Sequence, residues 1–150
     1  MANAEHSHRR AEEFLSSADI DFVRESVALA QSNLHRGTRT FREHLMRRLA
    51  TKGWSGQVRV DSRSKITISS MRGTLAMCVQ TGNMSRMYAD LLKLETLYRK
   101  GLITCALYVL PCRDLAGQIG SNIAAFERLV EELSIFEVTV TVPVLVIGMR

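Results

Sequence analysis

The sequence lacks the features of membrane, secreted and zinc-stabilised proteins. It has no apolar run of the roughly 18 residues that a membrane-spanning helix needs, and its start, MANAEHSHRRAEEF, has no apolar core of a signal peptide. The cysteines, Cys78, Cys105 and Cys112, are odd in number, form no CxxC pair and lie in or beside apolar segments. This pattern argues against a disulfide framework and a structural zinc site. We therefore expect a cytoplasmic protein.

Acidic residues are scarce in one long segment. Between Arg36 and Arg72 only Glu43 and Asp61 are acidic, whereas ten residues are basic, so the segment carries +8 in a chain of net charge +5. Such asymmetry indicates a polyanion partner, usually nucleic acid, or else a solvated basic face. The ten basic residues are Arg36, Arg39, Arg42, Arg47, Arg48, Lys52, Arg59, Arg63, Lys65 and Arg72.

The hydrophobic pattern predicts one α/β domain over residues 1–150, with a flexible tail over 1–16. No repeat, low-complexity stretch or linker divides the 150 residues. Apolar residues recur first at helical spacing, then with the period of two that is typical of strands, and then in alternating buried strands and amphipathic helices. The order ααβββαβαβ predicts a mixed sheet in which a three-stranded meander precedes parallel strands. The predicted helices are 17–34, 39–53, 84–101 and 112–136, the last interrupted near 117–120, and the predicted strands are 57–62, 64–70, 74–81, 102–111 and 142–149.

Three polar residues near strand ends form a candidate site. Asp61 ends the first predicted strand, and Cys78 and Gln80 follow 17 and 19 residues later on the third. Residues i and i+2 of a strand face the same way, so all three side chains converge if the two strands are neighbours. Two carboxylates at such a place would bind Mg²⁺, which activates water for phosphodiester cleavage. Glu43, on the preceding helix, would supply another oxygen.

The segment from Thr81 to Leu129 carries a family resemblance. Its "TGN", the helix after it, the strand ending at Pro111 and "FE" at Phe126 and Glu127 are similar to the BamHI branch of the PD-(D/E)xK restriction endonucleases, with BglII more distantly related. The resemblance spans roughly residues 40 to 150. It implies a restriction-endonuclease-like mixed sheet flanked by helices, in agreement with the order read from the hydrophobic pattern.

The resemblance also implies an active site that departs from the family. Asp61 falls on the family's aspartate, Gln80 on a position where glutamine has precedent, and Glu43 near the helix-borne acid. Cys78 falls on the glutamate that bridges the metals, and a neutral thiol is a poor ligand for a hard cation. We therefore expect hydrolysis to be lost or weak. If activity survives, we expect Mg²⁺ as the cofactor, bound by Asp61 and Glu43; otherwise we expect no cofactor. Glu95 is a candidate for a migrated second acid, or else a structural partner of Arg99.

Nucleic-acid contacts follow from the same resemblance. Asn83 matches a position that faces DNA bases in the major groove, although it also suits the N-cap of the following helix. The family's charged base-reading pair falls on Ser121 and Asn122, so any sequence preference is expected to differ. Residues expected to hold phosphates are Arg59, Arg63, Lys65 and Arg72.

Dimerisation is the last implied feature. Family members form C2 dimers through the helix after the third strand and the later helix, and such an interface is self-complementary. The residues that fall on this interface are Leu94, Tyr98, Arg99, Lys100, Glu127 and Glu131.

Three functions remain open on sequence alone. The first is a double-stranded-DNA-binding homodimer that has lost cleavage. The second is an active Mg²⁺-dependent endodeoxyribonuclease using Asp61 with Glu43 or Glu95. The third is a regulatory or protein-interaction dimer on the same scaffold, without DNA.

Overall fold

A five-stranded sheet forms the centre of the protein, whose computed structural model describes residues 2–150. The strands lie in the order β1-β7-β6-β5-β4. The central strands β5, β6 and β7 are parallel, and the edge strands β1 and β4 run antiparallel to their neighbours. A separate two-stranded ribbon pairs β2 with β3. The strands are β1 (Ala4–His8), β2 (Val58–Arg59), β3 (Thr67–Ile68), β4 (Ser70–Arg72), β5 (Leu75–Val79), β6 (Cys105–Pro111) and β7 (Val144–Met149).

Helices cover both faces of this sheet. The first two pack their apolar stripes on one face, and the third and fifth pack theirs on the other. Both faces of the parallel strands are therefore buried, as is usual for strands joined by helical crossovers. The helices are α1 (Ser17–Gln31), α2 (Thr38–Ala50), α3 (Met84–Arg99), α4 (Arg113–Ile119) and α5 (Phe126–Ile135).

Strand β5 distributes its side chains between the two faces. Met77 and Val79 belong to the core under α1 and α2, whereas Ala76 and Cys78 belong to the core under α3 and α5. This alternation puts Cys78 and the following Gln80 on the α3 side, as the period of a strand requires. The candidate site therefore lies at the carboxyl end of β5, where α3 begins.

The predicted fold class is confirmed, but the chain start differs from expectation. Residues 4–8, which we expected within a flexible tail, form β1 and pair with β7 from Ala4 opposite Gly148 to His8 opposite Val144. Without this strand, the backbone groups on the free side of β7 would have no partner in the sheet. The polar sequence AEHSH gives little sign of a strand, because only its backbone makes the ladder. The expected tail also included Met1, which lies outside the described residues.

The predicted meander is also corrected. The run expected to be one strand over 64–70 divides into β3 and β4, and only β4 joins the main sheet. Strand β2 pairs with β3 alone, so the strand that precedes Asp61 is not a neighbour of β5. The later helix is interrupted, as expected, between α4 and α5.

Across residues 2–150, none of the helices combines the length and the apolar character that crossing a membrane demands.

The buried face of α3 provides a test of the fold. Leu94 is 0% exposed, and we expect Leu94→Ala to lower the free energy of unfolding by about 2–5 kcal/mol, because it removes methyl groups and leaves a cavity. The matched control is Leu29→Ala on α1, where the leucine is 52% exposed and the loss should stay below about 0.5 kcal/mol. Urea denaturation of both variants measures the difference, and equal losses would contradict this packing.

Candidate functional site

A buried carboxylate, Asp90, organises the carboxyl end of β5. Asp90 is 6% exposed, and its Oδ2 accepts hydrogen bonds from Gln80 Nε2 at 2.7 Å and from the Tyr108 hydroxyl at 2.8 Å. Lys93 Nζ lies 3.3 Å from Oδ1. The carboxylate thus joins α3 to β6 and to the residue that follows β5. Sequence reasoning missed Asp90. The signal that could have found it is its position on the apolar face of α3, beside Met87 and Leu91, where an acid needs buried partners.

Gln80 is held at both ends of its amide. Its Oε1 accepts the Gly82 N–H at 2.9 Å, while its Nε2 donates to Asp90. Its backbone N–H donates to Val109 O at 2.8 Å and continues the β5–β6 ladder for one more residue. Gln80 is therefore a structural link, because both of its side-chain polar groups already have protein partners.

Cys78 is a buried neutral thiol. It is 1% exposed and lies opposite Tyr108 in the β5–β6 register. Burial raises the pKa of Cys78 well above its ordinary value, and the charge of Asp90 raises that pKa further. Burial and Asp90 raise the pKa of Tyr108 in the same way. Neither group ionises near neutral pH, so neither supplies an anionic metal ligand or a thiolate nucleophile.

Asp61 lies apart from this cluster. Its carboxylate accepts from Arg63 Nε at 2.9 Å, and Lys100 Nζ lies 3.3 Å from its other oxygen. Lys100 follows the C-terminal end of α3, ten residues and roughly 15 Å of helix beyond Asp90. The Arg63 guanidinium, with help from Lys100, holds the pKa of Asp61 well below its usual range. The expected convergence of Asp61 with Cys78 and Gln80 is therefore corrected, because β2 and β5 are not neighbours.

Ser69 occupies the place beside β5 that we assigned to Asp61. Its backbone N–H donates to Met77 O at 3.1 Å, and its Oγ accepts the Val79 N–H at 2.9 Å. Sequence reasoning missed Ser69 because a serine within the predicted strand 64–70 carries no signal before the strand pairing is known. A hydroxyl thus stands where the expected site has an acid.

The two other expected acids also face away from the cluster. Glu43 is exposed on α2 and pairs with Arg39 at 3.1 Å. Its neighbour Arg42 enters the site instead and donates from Nη2 to Val79 O at 3.0 Å. Glu95 accepts the N–H groups of Thr141 and Val142, each at 2.8 Å, and pairs with Arg99 at 2.7 Å. Glu95 therefore fastens α3 to the segment before β7.

The cleft around Asp90 carries more positive than negative charge. It has a volume of about 300 Å³, and its charged lining residues are Arg42, Arg86, Lys93 and Asp90. Lys93 pairs with Asp90, whereas no ion pair within residues 2–150 involves Arg42 or Arg86. Burial lowers the pKa of Arg42, and nearby Arg86 lowers it as well, while Asp90 partly offsets both.

This donor set does not fit the Mg²⁺ ion that the family resemblance implies. Mg²⁺ requires hard oxygen ligands in octahedral geometry, usually including carboxylates. Both oxygens of Asp90 already face donors, and Ser69 and Gln80 already accept backbone N–H groups. Among residues 2–150, no group of three or more His, Cys, Asp or Glu side chains is placed to hold a metal. Three cations close to one acid also repel a further cation.

The residues expected to contact bases come together in space. The Met84 N–H at the start of α3 donates to Asn122 O at 2.8 Å, and Asn83 forms a β-bridge with Ile123. Asn83 caps α3 by accepting the Ser85 N–H at 2.9 Å, so its alternative role as N-cap is present. The side chains of Asn83, Ser121 and Asn122 are exposed, and together they form one polar surface.

The residues expected to hold phosphates differ in availability. Arg59 is exposed at the end of β2, and Lys65 is exposed in the segment that connects β2 to β3. Arg63 is paired with Asp61, and Arg72 is paired with Asp19 on α1. Arg59 and Lys65 are therefore the cations of this set that have no ion-pair partner among residues 2–150.

One of the expected dimer residues is buried in the core, and several of the others make contacts within the chain. Leu94 is corrected, because it is fully buried within its own subunit and presents no surface to a second copy. Tyr98 is half-buried, Arg99 and Lys100 pair with Glu95 and Asp61, and Glu127 accepts the Arg113 N–H at 2.8 Å. Glu131 is exposed.

Comparison with known proteins agrees with this architecture. The profile of the family described as restriction endonuclease BglII/BglIII matches residues 4–149. The structure of BglII complexed with a DNA 16-mer superposes with a TM-score of 0.80 and 11% identity, over 99% of this chain and 76% of that chain. The structure of free BglII gives a TM-score of 0.74 and 14% identity, over 100% and 80%. The search of curated proteins gave no match. The predicted resemblance to restriction endonucleases is thus confirmed, and the matching family is that of BglII. The closer resemblance to the BamHI branch is not confirmed.

The Glu95 contacts predict a pH-dependent loss of stability. Burial alone would raise the pKa of Glu95, but hydrogen bonds from Thr141, Arg99 and Val142 together lower it. In Glu95→Gln an amide N–H₂ replaces Oε2 and cannot accept from Arg99 Nε and the Thr141 hydroxyl, so we expect the free energy of unfolding near neutral pH to fall by about 1–3 kcal/mol. Chemical denaturation measures this loss.

The pH dependence has a defined sign. Since the folded-state pKa lies below the unfolded value of about 4.5, ionised Glu95 stabilises the fold above that value. The contribution is lost as the pH falls through the lower folded-state pKa, so the difference between wild type and Glu95→Gln should shrink on acidification. The exposed Glu13→Gln serves as control. A difference that grows on acidification would contradict this assignment.

Proposed function

The chain belongs to the BglII/BglIII family of restriction endonucleases, and from this premise we propose that it is a double-stranded-DNA-binding homodimer that has lost hydrolysis. The observation that supports the loss of hydrolysis is that both carboxylate oxygens of Asp90 are occupied by protein donors. Among residues 2–150, Asp90 is also the one acid that lines the cleft. Removing metal-binding carboxylates from such a centre costs the electrostatic stabilisation that phosphodiester hydrolysis needs.

DNA binding draws its support from surface chemistry. Exposed Asn83, Ser121 and Asn122 offer amide and hydroxyl groups that can pair with base edges. Exposed Arg59 and Lys65 offer charges that attract phosphates without reading sequence. The related BglII has been crystallised with a DNA 16-mer, which supports DNA as the polyanion.

Two alternatives have less support. An active Mg²⁺-dependent nuclease would need Asp61 near Glu43 or Glu95, whereas these acids pair with Arg63, Arg39 and Arg99 respectively. A regulatory dimer without DNA would leave the unpaired cations of the cleft without a ligand. The nuclease alternative keeps Mg²⁺ as its cofactor, and the other two functions need none.

A dimer through α3 and α5 has its own support. Leu92 is 67% exposed and Ile135 66% exposed. Each lies about one turn beyond the Tyr88–Glu132 hydrogen bond of 2.9 Å that joins the two helices. A second copy packed on these two helices would remove both apolar side chains from water, which favours association.

The loss of hydrolysis is tested with supercoiled plasmid. We expect wild-type protein to bind a duplex at low salt, and to leave plasmid uncut in Mg²⁺ or Mn²⁺, because no acidic cluster among residues 2–150 is placed to hold a metal. Gel electrophoresis of the plasmid and fluorescence anisotropy of a labelled duplex measure the two properties. Clear cuts that disappear in Asp61→Ala would establish the nuclease alternative, and any clear cut by the wild-type protein would contradict the loss of hydrolysis. Absence of duplex binding at low salt would leave the regulatory dimer.

The dimer is tested on the exposed face of α5. We expect Ile135→Glu to weaken dimerisation about tenfold or more, because C2 symmetry would bury two unpaired acids near Glu132. Analytical ultracentrifugation measures the dissociation constant. Leu29→Glu is the matched control on the opposite side of the sheet and should leave the dimer intact. A wild-type protein that sediments as a monomer at high concentration would sink the dimer proposal.

A further inference from the structure

The cleft at the carboxyl end of β5 has cations where a metal-dependent nuclease would need acids. Within the described part of the chain, three basic side chains line it, and its one carboxylate already has Gln80, Tyr108 and Lys93 as partners. A site of this composition repels Mg²⁺ and attracts an anion. We propose that this cleft binds a phosphate group directly, through Arg42, Arg86 and Lys93, without an intervening metal ion.

Arg42 is the most constrained of the three cations. Its Nη2 donates to Val79 O at 3.0 Å, which fixes the guanidinium at the end of β5. The other guanidinium N–H groups make no hydrogen bond with residues 2–150. Burial lowers its pKa, so the charge lacks full compensation from the protein. A planar guanidinium with several N–H groups left over matches the paired oxygens of a phosphate.

Arg86 reaches the same cleft from the first turn of α3. Its side chain folds back over the turn at Gly82, where a built Cβ would come within 3.1 Å of Arg86 Nη1 and 2.8 Å of Gln80 Oε1. A side chain at residue 82 would therefore displace either Arg86 or the Gln80–Asp90 link. The bare glycine leaves room for the Arg86 side chain. Arg86 is near enough to lower the pKa of Arg42, and an anion between the two cations would relieve this repulsion.

Lys93 and Asp90 complete the arrangement. The ammonium of Lys93 lies 3.3 Å from Asp90 Oδ1 and also lines the cleft. This internal cation neutralises the acid, so the acid does not repel an incoming phosphate. Gln57 and Thr67 add neutral polar groups to the lining. Direct contacts of this kind give affinity that depends on salt and not on divalent metal.

The inference rests on the proposed function in one respect, that the phosphate belongs to a DNA backbone. The cleft lies beside the turn that carries Asn83, so a duplex read by Asn83 and Asn122 would bring its backbone past Arg86. A free phosphate ion offers the same chemistry. The experiment therefore has one arm for each source.

The first arm titrates inorganic phosphate into wild-type protein in EDTA and follows arginine side-chain Nε–H signals by NMR. We expect the Arg42 and Arg86 signals to shift, and the Arg39 signal to stay, because Arg39 is exposed on α2 and paired with Glu43. Addition of unlabelled duplex should displace the phosphate. Phosphate shifts that persist at saturating duplex would make free phosphate the ligand and overturn the DNA assignment. If Arg42 and Arg86 do not respond, the anion site itself is overturned.

The second arm measures duplex affinity in EDTA and in Mg²⁺ for wild type, Arg86→Ala and the control Arg39→Ala. Arg86 is exposed, so its truncation leaves the core intact. We expect Arg86→Ala to lose about tenfold in affinity, and to lower the slope of log affinity against log salt by about 1, in both buffers. Arg86→Lys should restore part of the affinity. Arg39→Ala should change little.

The outcomes separate the two proposals. If wild-type protein fails to bind duplex at low salt, the proposed function fails, whatever the phosphate arm gives. If duplex binds but Arg86→Ala matches wild type in affinity and salt slope, this inference fails while the proposed function stands. Duplex binding that requires Mg²⁺ and vanishes in EDTA also overturns the inference.

Discussion

The buried Asp90 carboxylate is the interaction on which the end of the sheet depends. It accepts hydrogen bonds from Gln80 and Tyr108 and pairs with Lys93, so one charged group ties α3 to β6 and to the residue after β5. Its burial is tolerated because donors surround both oxygens, whereas a buried charge without partners costs several kcal/mol. The same contacts remove Asp90 from metal chemistry, since its oxygens are no longer free to serve as ligands.

The surroundings of Asp90 reverse the charge of the site without altering the scaffold. Ser69, Cys78 and Arg42 stand where acids were expected, and each is accommodated by a local contact. Ser69 caps a backbone N–H, Cys78 fills the core under α3, and Arg42 binds a strand carbonyl. A cleft that would hold Mg²⁺ through carboxylates becomes one that suits a phosphate. The fold can thus be kept while the chemistry of the site changes. The sheet and the helices depend on core packing, whereas the properties of the site depend on a few side chains.

The elements that were predicted well are those whose stability is local or strongly patterned. The amphipathic helices and the apolar strands β5, β6 and β7 follow from their periodicity. The errors concern which strands pair with one another, because the pattern within a single strand does not identify its neighbours. The polar β1 exists only because β7 offers it a free edge, and the division of 64–70 into β3 and β4 moved Asp61 away from β5. The spacing of 17 residues between Asp61 and Cys78 was compatible with convergence but could not establish strand adjacency.

The sequence by itself determined the mixed α/β class, the shared orientation of Cys78 and Gln80, and the positive charge of the 36–72 segment. These follow from side-chain periodicity and from formal charge, which need no knowledge of distant contacts. Only the tertiary structure decided which acid stands at the site. Asp90, Asp61, Glu43 and Glu95 are all carboxylates in helices or turns, and the sequence does not distinguish them. Their roles differ because folding gives each a different set of partners. Asp90 receives Gln80 and Tyr108, and Asp61 receives Arg63 and Lys100. Glu43 receives Arg39, and Glu95 receives Thr141, Val142 and Arg99.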